Sequence, residues 1–198
     1  AHPVFRMRAM SLLVLGLALF LGVHSISIAA PGWRDAQAAR LGENAWKGIY
    51  TLLSLAGFAL IVIGYGQARQ APLVLYVPPV ALRHVAALLM LPVFVLLLAA
   101  YLPGRIKAAT KHPMLVATKL WATAHLLANG NLADVLLFGG FLAWAVADRI
   151  SMKHRVQRPL PGAPAGRLND LIAVLAGLAL YALFITVGHH WLIGVTPF

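Results

Sequence analysis

The sequence predicts an all-α, polytopic integral membrane protein, a helical bundle with about six transmembrane helices. Three observations lead there. Of 198 residues, 61% are hydrophobic and only 11% are charged, roughly half the charged share of an ordinary soluble domain. The apolar residues fall in long blocks with few charges, as segments do that cross a hydrocarbon core about 30 Å thick. The short segments between the blocks hold nearly all the Lys and Arg, the distribution of topogenic charge. No stretch is left for a separate soluble domain, so residues 1–198 read as a single transmembrane domain.

The first block covers about 10–30 and is stopped by Pro31-Gly32. Arg6 and Arg8, the apolar run and Ser27-Ile28-Ala29 would also suit a cleaved signal peptide. The run is long enough to span, however, and is read as a retained helix. The second block is 46–66. The third, 81–102, ends at Pro103-Gly104 and contains Pro92, a kink because proline removes one helical donor. The fourth, 113–128, opens on Pro113 and closes before Asn129-Gly130. The fifth, 132–148, follows so closely that the two should form a tight antiparallel hairpin. The sixth, 171–194, is entered through Asn169 as an N-cap. Between the fifth and sixth, 159–166 is a Pro- and Gly-rich surface linker.

The first, third and fifth connections carry eleven Lys and Arg; the opposite side has Arg6, Arg8, Arg69 and Arg83. The positive-inside rule then places the basic loops in the cytoplasm and both termini outside. A net charge of +11 invites a nucleic-acid reading, but the charges are dispersed between spans, and none is adopted. The chain has no cysteine, so disulfides, iron–sulfur clusters and thiolate metal sites are excluded. A phosphate-binding glycine loop and paired catalytic carboxylates are likewise missing. No internal repeat supports a transporter built from inverted halves.

Eight histidines are many for such a chain, and ionisable groups inside a span usually mark function. His24 and His125 lie well within apolar blocks. Thr118, Trp121, His125 and Asn129 follow three- and four-residue spacing and form a polar stripe on one helix face. Three readings stay open for the two histidines: hydrogen-bonding glue between helices, ligation of a metal or haem iron, and proton relay. His84, His112, His189 and His190 lie at block ends, where interfacial or capping roles suffice. His154 belongs to a basic loop, and His2 to the terminus. Lys119 either snorkels to the basic side or pairs with a cofactor carboxylate. Asp134 suits the positive end of its helix dipole, and Gly57, Gly64, Gly139, Gly140 and Gly177 read as close-packing positions. Trp191 reads as an interfacial anchor.

Three separated motifs carry a family resemblance over essentially the whole chain: Leu19-Phe20-Leu21-Gly22-Val23-His24-Ser25, Lys111-His112-Pro113 with Trp121 through Gly130, and His189-His190-Trp191-Leu192-Ile193-Gly194-Val195-Thr196-Pro197. Together they resemble the NnrU family, which is associated with denitrification and related to the plant 15-cis-zeta-carotene isomerase, a membrane haem b enzyme. The resemblance implies a haem b site with His24 and His125 as axial iron ligands; Trp121, in the same motif as His125, and Lys119, on its cofactor-carboxylate reading, then join the cofactor-binding residues. One residue after the motif's tryptophan, where the isomerase has a cysteine, this chain has Ala122, so a Cys/His ligand exchange has no counterpart here.

At about 1.5 Å per residue, His24 lies roughly 9 Å and His125 roughly 18 Å from the cytoplasmic ends of their spans. His112, His189 and His190 therefore stand as substitute ligands. Two functions follow from the resemblance. One is a haem b protein with a redox or isomerase-like role on a small or lipophilic substrate. The other is a non-catalytic assembly or regulatory factor for nitrite and nitric oxide reductases.

Overall fold

The structure, a computed structural model, describes residues 3–197; His2 lies outside them. The described chain forms α1 (Pro3–Ala29), α2 (Pro31–Leu41), α3 (Glu43–Ala68), α4 (Leu82–Met90), α5 (Val93–Ala99), α6 (Arg105–Thr110), α7 (Pro113–Ala128), α8 (Leu132–Ser151), α9 (Asn169–Leu183), a π-helical turn (Phe184–Gly188) and α10 (His189–Ile193). Four helical stretches are long and apolar enough to cross a membrane: α1, α3, Leu82–Ala99 and Asn169–Ile193. Among the other two expected spans, α7 has 16 residues, about 24 Å at 1.5 Å each, short of the hydrocarbon core. The α8 helix is long enough but carries Asp134, Asp148 and Arg149. Large apolar side chains remain exposed along the long helices, among them Leu15, Leu52, Leu55, Leu88, Leu175 and Leu183. Such a surface is stable only against lipid, and the chain is an integral membrane protein.

The residues group into two compact units, one running to Tyr76 and taking in Gly130–Arg155, the other comprising Val77–Asn129 and the chain from Val156 onward. In the first unit α1, α3 and α8 pack together. Lipid tails are as apolar as leucine, so close van der Waals fit must hold such helices. Glycines supply it. A Cβ at Gly16 would lie 2.6 Å from the Ile61 backbone nitrogen and one at Gly57 2.8 Å from that of Phe20, while Gly64 abuts the backbone of Leu13. Gly139 has nothing within 4 Å, and Gly140 makes only ordinary contact with Leu21; close packing does not explain these two.

The segment after α3 is tied to the start of α8. Leu132 N donates to Leu73 O at 2.8 Å, and Leu75 N and Tyr76 N donate to Gly130 O at 2.8 and 3.1 Å. A side chain at position 130 would strike the Tyr76 carbonyl. Asn131 and Asp134 form a capping box on α8, and Tyr65 Oη donates to Asp134 Oδ1 at 2.6 Å. Asp134 thus serves its helix N-terminus, as expected, and also bonds to α3.

In the second unit α4 and α5 pack on α7, and α5 on α9. The expected hairpin partners α7 and α8 thus find their packing neighbours within separate units, α7 in the second and α8 in the first. Pro92 breaks the third span as expected. Leu91 N is shared between Ala87 O and Leu88 O at 3.1 and 3.3 Å, and Tyr181 Oη from α9 donates to Ala87 O at 2.8 Å. A Cβ at Gly177 would lie 2.6 Å from the Val95 backbone, which is the close approach expected there.

The first helix stops before Pro31-Gly32 as expected, with Ala30 out of the helical region at φ −144° and ψ 59°, but Pro31 then opens a further helix, α2, a first-turn position that proline suits. Asn169 is not an N-cap, since α9 begins on it after Leu168. Its amide instead donates to Pro103 O and Pro164 O at 2.8 and 3.0 Å. The 159–166 linker is exposed and is fastened by Ala163 N to Tyr101 O at 2.9 Å.

Candidate functional site

His24 lies late on α1, where the chain presents Phe20 and His24 one turn apart on a single face. Its Nδ1 is 2.7 Å from the Phe20 carbonyl oxygen. A carbonyl can only accept, so Nδ1 carries a proton, and in the neutral ring Nε2 is the lone-pair nitrogen. Three rings fix the imidazole: Phe20 stacks on it at 4.1 Å, and Tyr50 of α3 and Trp144 of α8 meet it edge-on at 5.2 and 6.0 Å. Phe141 extends the cluster at 5.6 Å from Phe20. One turn after Trp144, the buried Asp148 accepts from Arg155 at 2.6 Å.

The second unit repeats the device on α7. His125 Nδ1 is 2.8 Å from Trp121 O, and the Trp121 ring lies 5.4 Å away. By the same reasoning Nε2 is the lone-pair nitrogen. Asn129 closes the next turn, its side-chain amide 3.0 Å from His125 O, and Thr118 Oγ1 donates to Met114 O at 2.9 Å. The expected polar stripe thus exists as a ladder of bonds within the helix. Trp121 packs on Val93, Leu96 and Ala117, and Ala122 is fully buried. Lys119 is half-buried on α7 and joins none of the ion pairs found among the described residues.

His24 belongs to the first unit and His125 to the second. Of the substitutes, His112 precedes α7 and makes no side-chain cap bond. His189 repeats the pinned geometry, Nδ1 2.7 Å from Val195 O and its ring 5.7 Å from Phe184. His190 is exposed, as are His84 and His154. Trp191 is 79% exposed, suiting the expected interfacial anchor. Among the described residues no group of three or more His, Asp or Glu is placed to hold a metal ion.

Tyr50, Ser54, Phe141 and Trp144 around His24 were not picked out from the sequence. Their one signal is spacing: Tyr50 and Ser54 are four residues apart and Phe141 and Trp144 three apart, each pair on one helix face. A family model described as NnrU protein matches residues 12–197. No curated protein and no solved structure matches the chain.

Proposed function

This chain belongs to the NnrU family, and from that premise we propose that it is a haem b-binding membrane protein in which His24 and His125 would hold the iron. One observation carries the reading. Both imidazoles donate from Nδ1 to the carbonyl four residues earlier, at 2.7 and 2.8 Å, each beside an aromatic ring at that earlier position. Metal-ligating histidines need this arrangement, because the bond at one ring nitrogen fixes the tautomer and orients the other. With no cysteine in the chain, imidazole is also the donor expected for haem iron.

Imidazole is a donor that suits haem iron. His24 and His125 would hold the iron, Trp121 would wall the site, and Lys119 would meet a haem carboxylate through a charge-assisted hydrogen bond. When bound, haem would supply one-electron redox or Lewis-acid chemistry in an apolar setting. The substrate class is a small or lipophilic molecule, and the link to nitrogen-oxide metabolism rests on the family. Residues 1–198 act as one functional domain in this reading, in a bacterial inner membrane with the basic loops cytoplasmic.

The test is the visible spectrum of protein purified after expression with ample haem. A Soret band is expected, and His24→Ala and His125→Ala should each abolish or shift it. Retention of one low-spin spectrum by both variants would reject these ligands and turn attention to His112, His189 and His190. No Soret band at all would reject the cofactor and leave the assembly or regulatory role for nitrite and nitric oxide reductases.

A further inference from the structure

The turn of α1 that carries Phe20 and His24 is flanked by two buried polar atoms without a hydrogen-bond partner, Ser54 Oγ and Trp144 Nε1. Both belong to one layer of the first unit. On α3, Tyr50 meets the His24 ring and Gly57 abuts Phe20, so Ser54 lies between these levels on the same face. On α8, Phe141 meets Phe20 and Trp144 meets His24. A buried donor left unpaired costs roughly 1–3 kcal/mol, and native structures seldom carry one without reason.

Elsewhere among the described residues only Arg6 Nε is left in the same way, and other hydroxyls show how easily such groups are satisfied. Thr110, Thr118 and Thr186 each donate back to the carbonyl four residues earlier at 2.7 to 2.9 Å, the ordinary recourse of a hydroxyl in a helix. Tyr65 and Tyr181 find partners on neighbouring helices. Ser54 and Trp144 do neither, and they belong to the two helices that pack against the turn carrying His24.

We infer that the layer formed by Phe20, His24, Tyr50, Ser54 and Trp144 is a binding site for a neutral, lipid-soluble ring compound bearing a carbonyl oxygen, of the quinone type, with Trp144 Nε1–H and Ser54 Oγ–H as its donors. Three features set the class. Two neutral donors call for an oxygen acceptor. Arg155, which follows this end of α8, is committed to Asp148 at 2.6 Å, so the acceptor is not a carboxylate. Aromatic rings on three sides of His24 suit a flat ring by edge-to-face packing, and the neighbouring positions on α3 expose Leu53, Leu55 and Phe58, so the ligand enters from the bilayer. The inference does not depend on haem, since it uses donors of the first unit alone.

The test uses the full chain in lipid nanodiscs with decylubiquinone as the probe. The indole N–H resonance of Trp144, one of five tryptophans, is assigned by its loss in Trp144→Phe. On adding decylubiquinone it should move downfield as a hydrogen bond forms. Trp144→Phe and Ser54→Ala should each weaken binding about tenfold, the worth of one hydrogen bond, while Trp33→Phe on α2 should not. Ser54→Ala guards against a folding defect in the larger substitution, because it changes little volume. A Trp144 resonance already downfield without probe means that water fills the layer, and overturns the inference. Unchanged affinity in both variants, or displacement of the quinone by dodecanoate at equal concentration, overturns it as well.

Discussion

Tyr65 of α3 donates a 2.6 Å hydrogen bond to Asp134 at the first turn of α8, and Asp134 is 2% exposed. The other carboxylate oxygen accepts from Asn131 N at 3.0 Å, so one buried side chain caps a helix and ties it to a second. Tyr65→Phe removes the donor and leaves the carboxylate under-satisfied. A loss of about 1.5–3 kcal/mol is expected, the range for hydrogen bonds to charged groups, read as a lowered unfolding midpoint in detergent. Asp134→Asn should cost at least as much as Tyr65→Phe, since an amide has a single acceptor oxygen for the two donors, Tyr65 Oη and Asn131 N, and carries no charge; a clearly smaller cost for Asp134→Asn would reject the charge-assisted account.

Glycine substitutions should separate packing positions from spectators. Gly57→Ala places a methyl 2.8 Å from the Phe20 backbone nitrogen, so α1 and α3 must part, at about 1–3 kcal/mol. The shift also displaces the turn that carries His24, so any haem spectrum should change with it. Gly139→Ala, with nothing within 4 Å, should be neutral or slightly stabilising, because alanine is the better helix former. Equal thermal midpoints for the two variants would contradict the seam.

Asp148 and Arg155 form a 2.6 Å ion pair with side chains 7% and 17% exposed. Arg155→Ala removes the ion partner of a buried carboxylate and should destabilise by about 3 kcal/mol. Asp148→Asn added to Arg155→Ala should recover part of that loss, because the charge that Arg155 balanced is gone. A double variant as unstable as the sum of the singles would show that the two residues act independently.

Lys111 has φ 62° and ψ −47°, the centre of a γ-turn closed by His112 N donating to Thr110 O at 2.7 Å, a strained conformation that costs a residue with a Cβ about 1 kcal/mol or more. Pro113 follows two residues on as the first residue of α7, so this backbone sets how the helix begins. Lys111→Gly should leave the fold intact and raise the unfolding midpoint slightly, whereas Lys111→Val should lower it. A stabilising valine would show that the strain is not felt.

The helices were largely legible in the chain. Pro113 and Asn129 bracket α7 as expected, because proline fits a first turn and the apolar period ends at 128. Pro92 breaks the third span for want of an amide hydrogen. The pinning of His24 and His125 was open to spacing too, since a residue four positions earlier always offers its carbonyl on the same face. What spacing missed was the company of His24. Tyr50, Ser54 and Trp144 come from two other helices, and no local pattern tells which face of α3 or α8 turns toward α1.

The sequence by itself determined that the chain is a helical membrane protein and which histidines lie deep in its apolar blocks. Both depend on local quantities, the length of an apolar run and its period. Only the tertiary structure decided that α7 packs on α4 and α5 while α8 packs on α1 and α3, that Asp134 binds Tyr65, and that Ser54 and Trp144 keep unpaired donors beside His24. In lipid every apolar face is equally content, so helix partners are chosen by the fit of glycine seams and a few polar contacts, which exist only once distant segments have met.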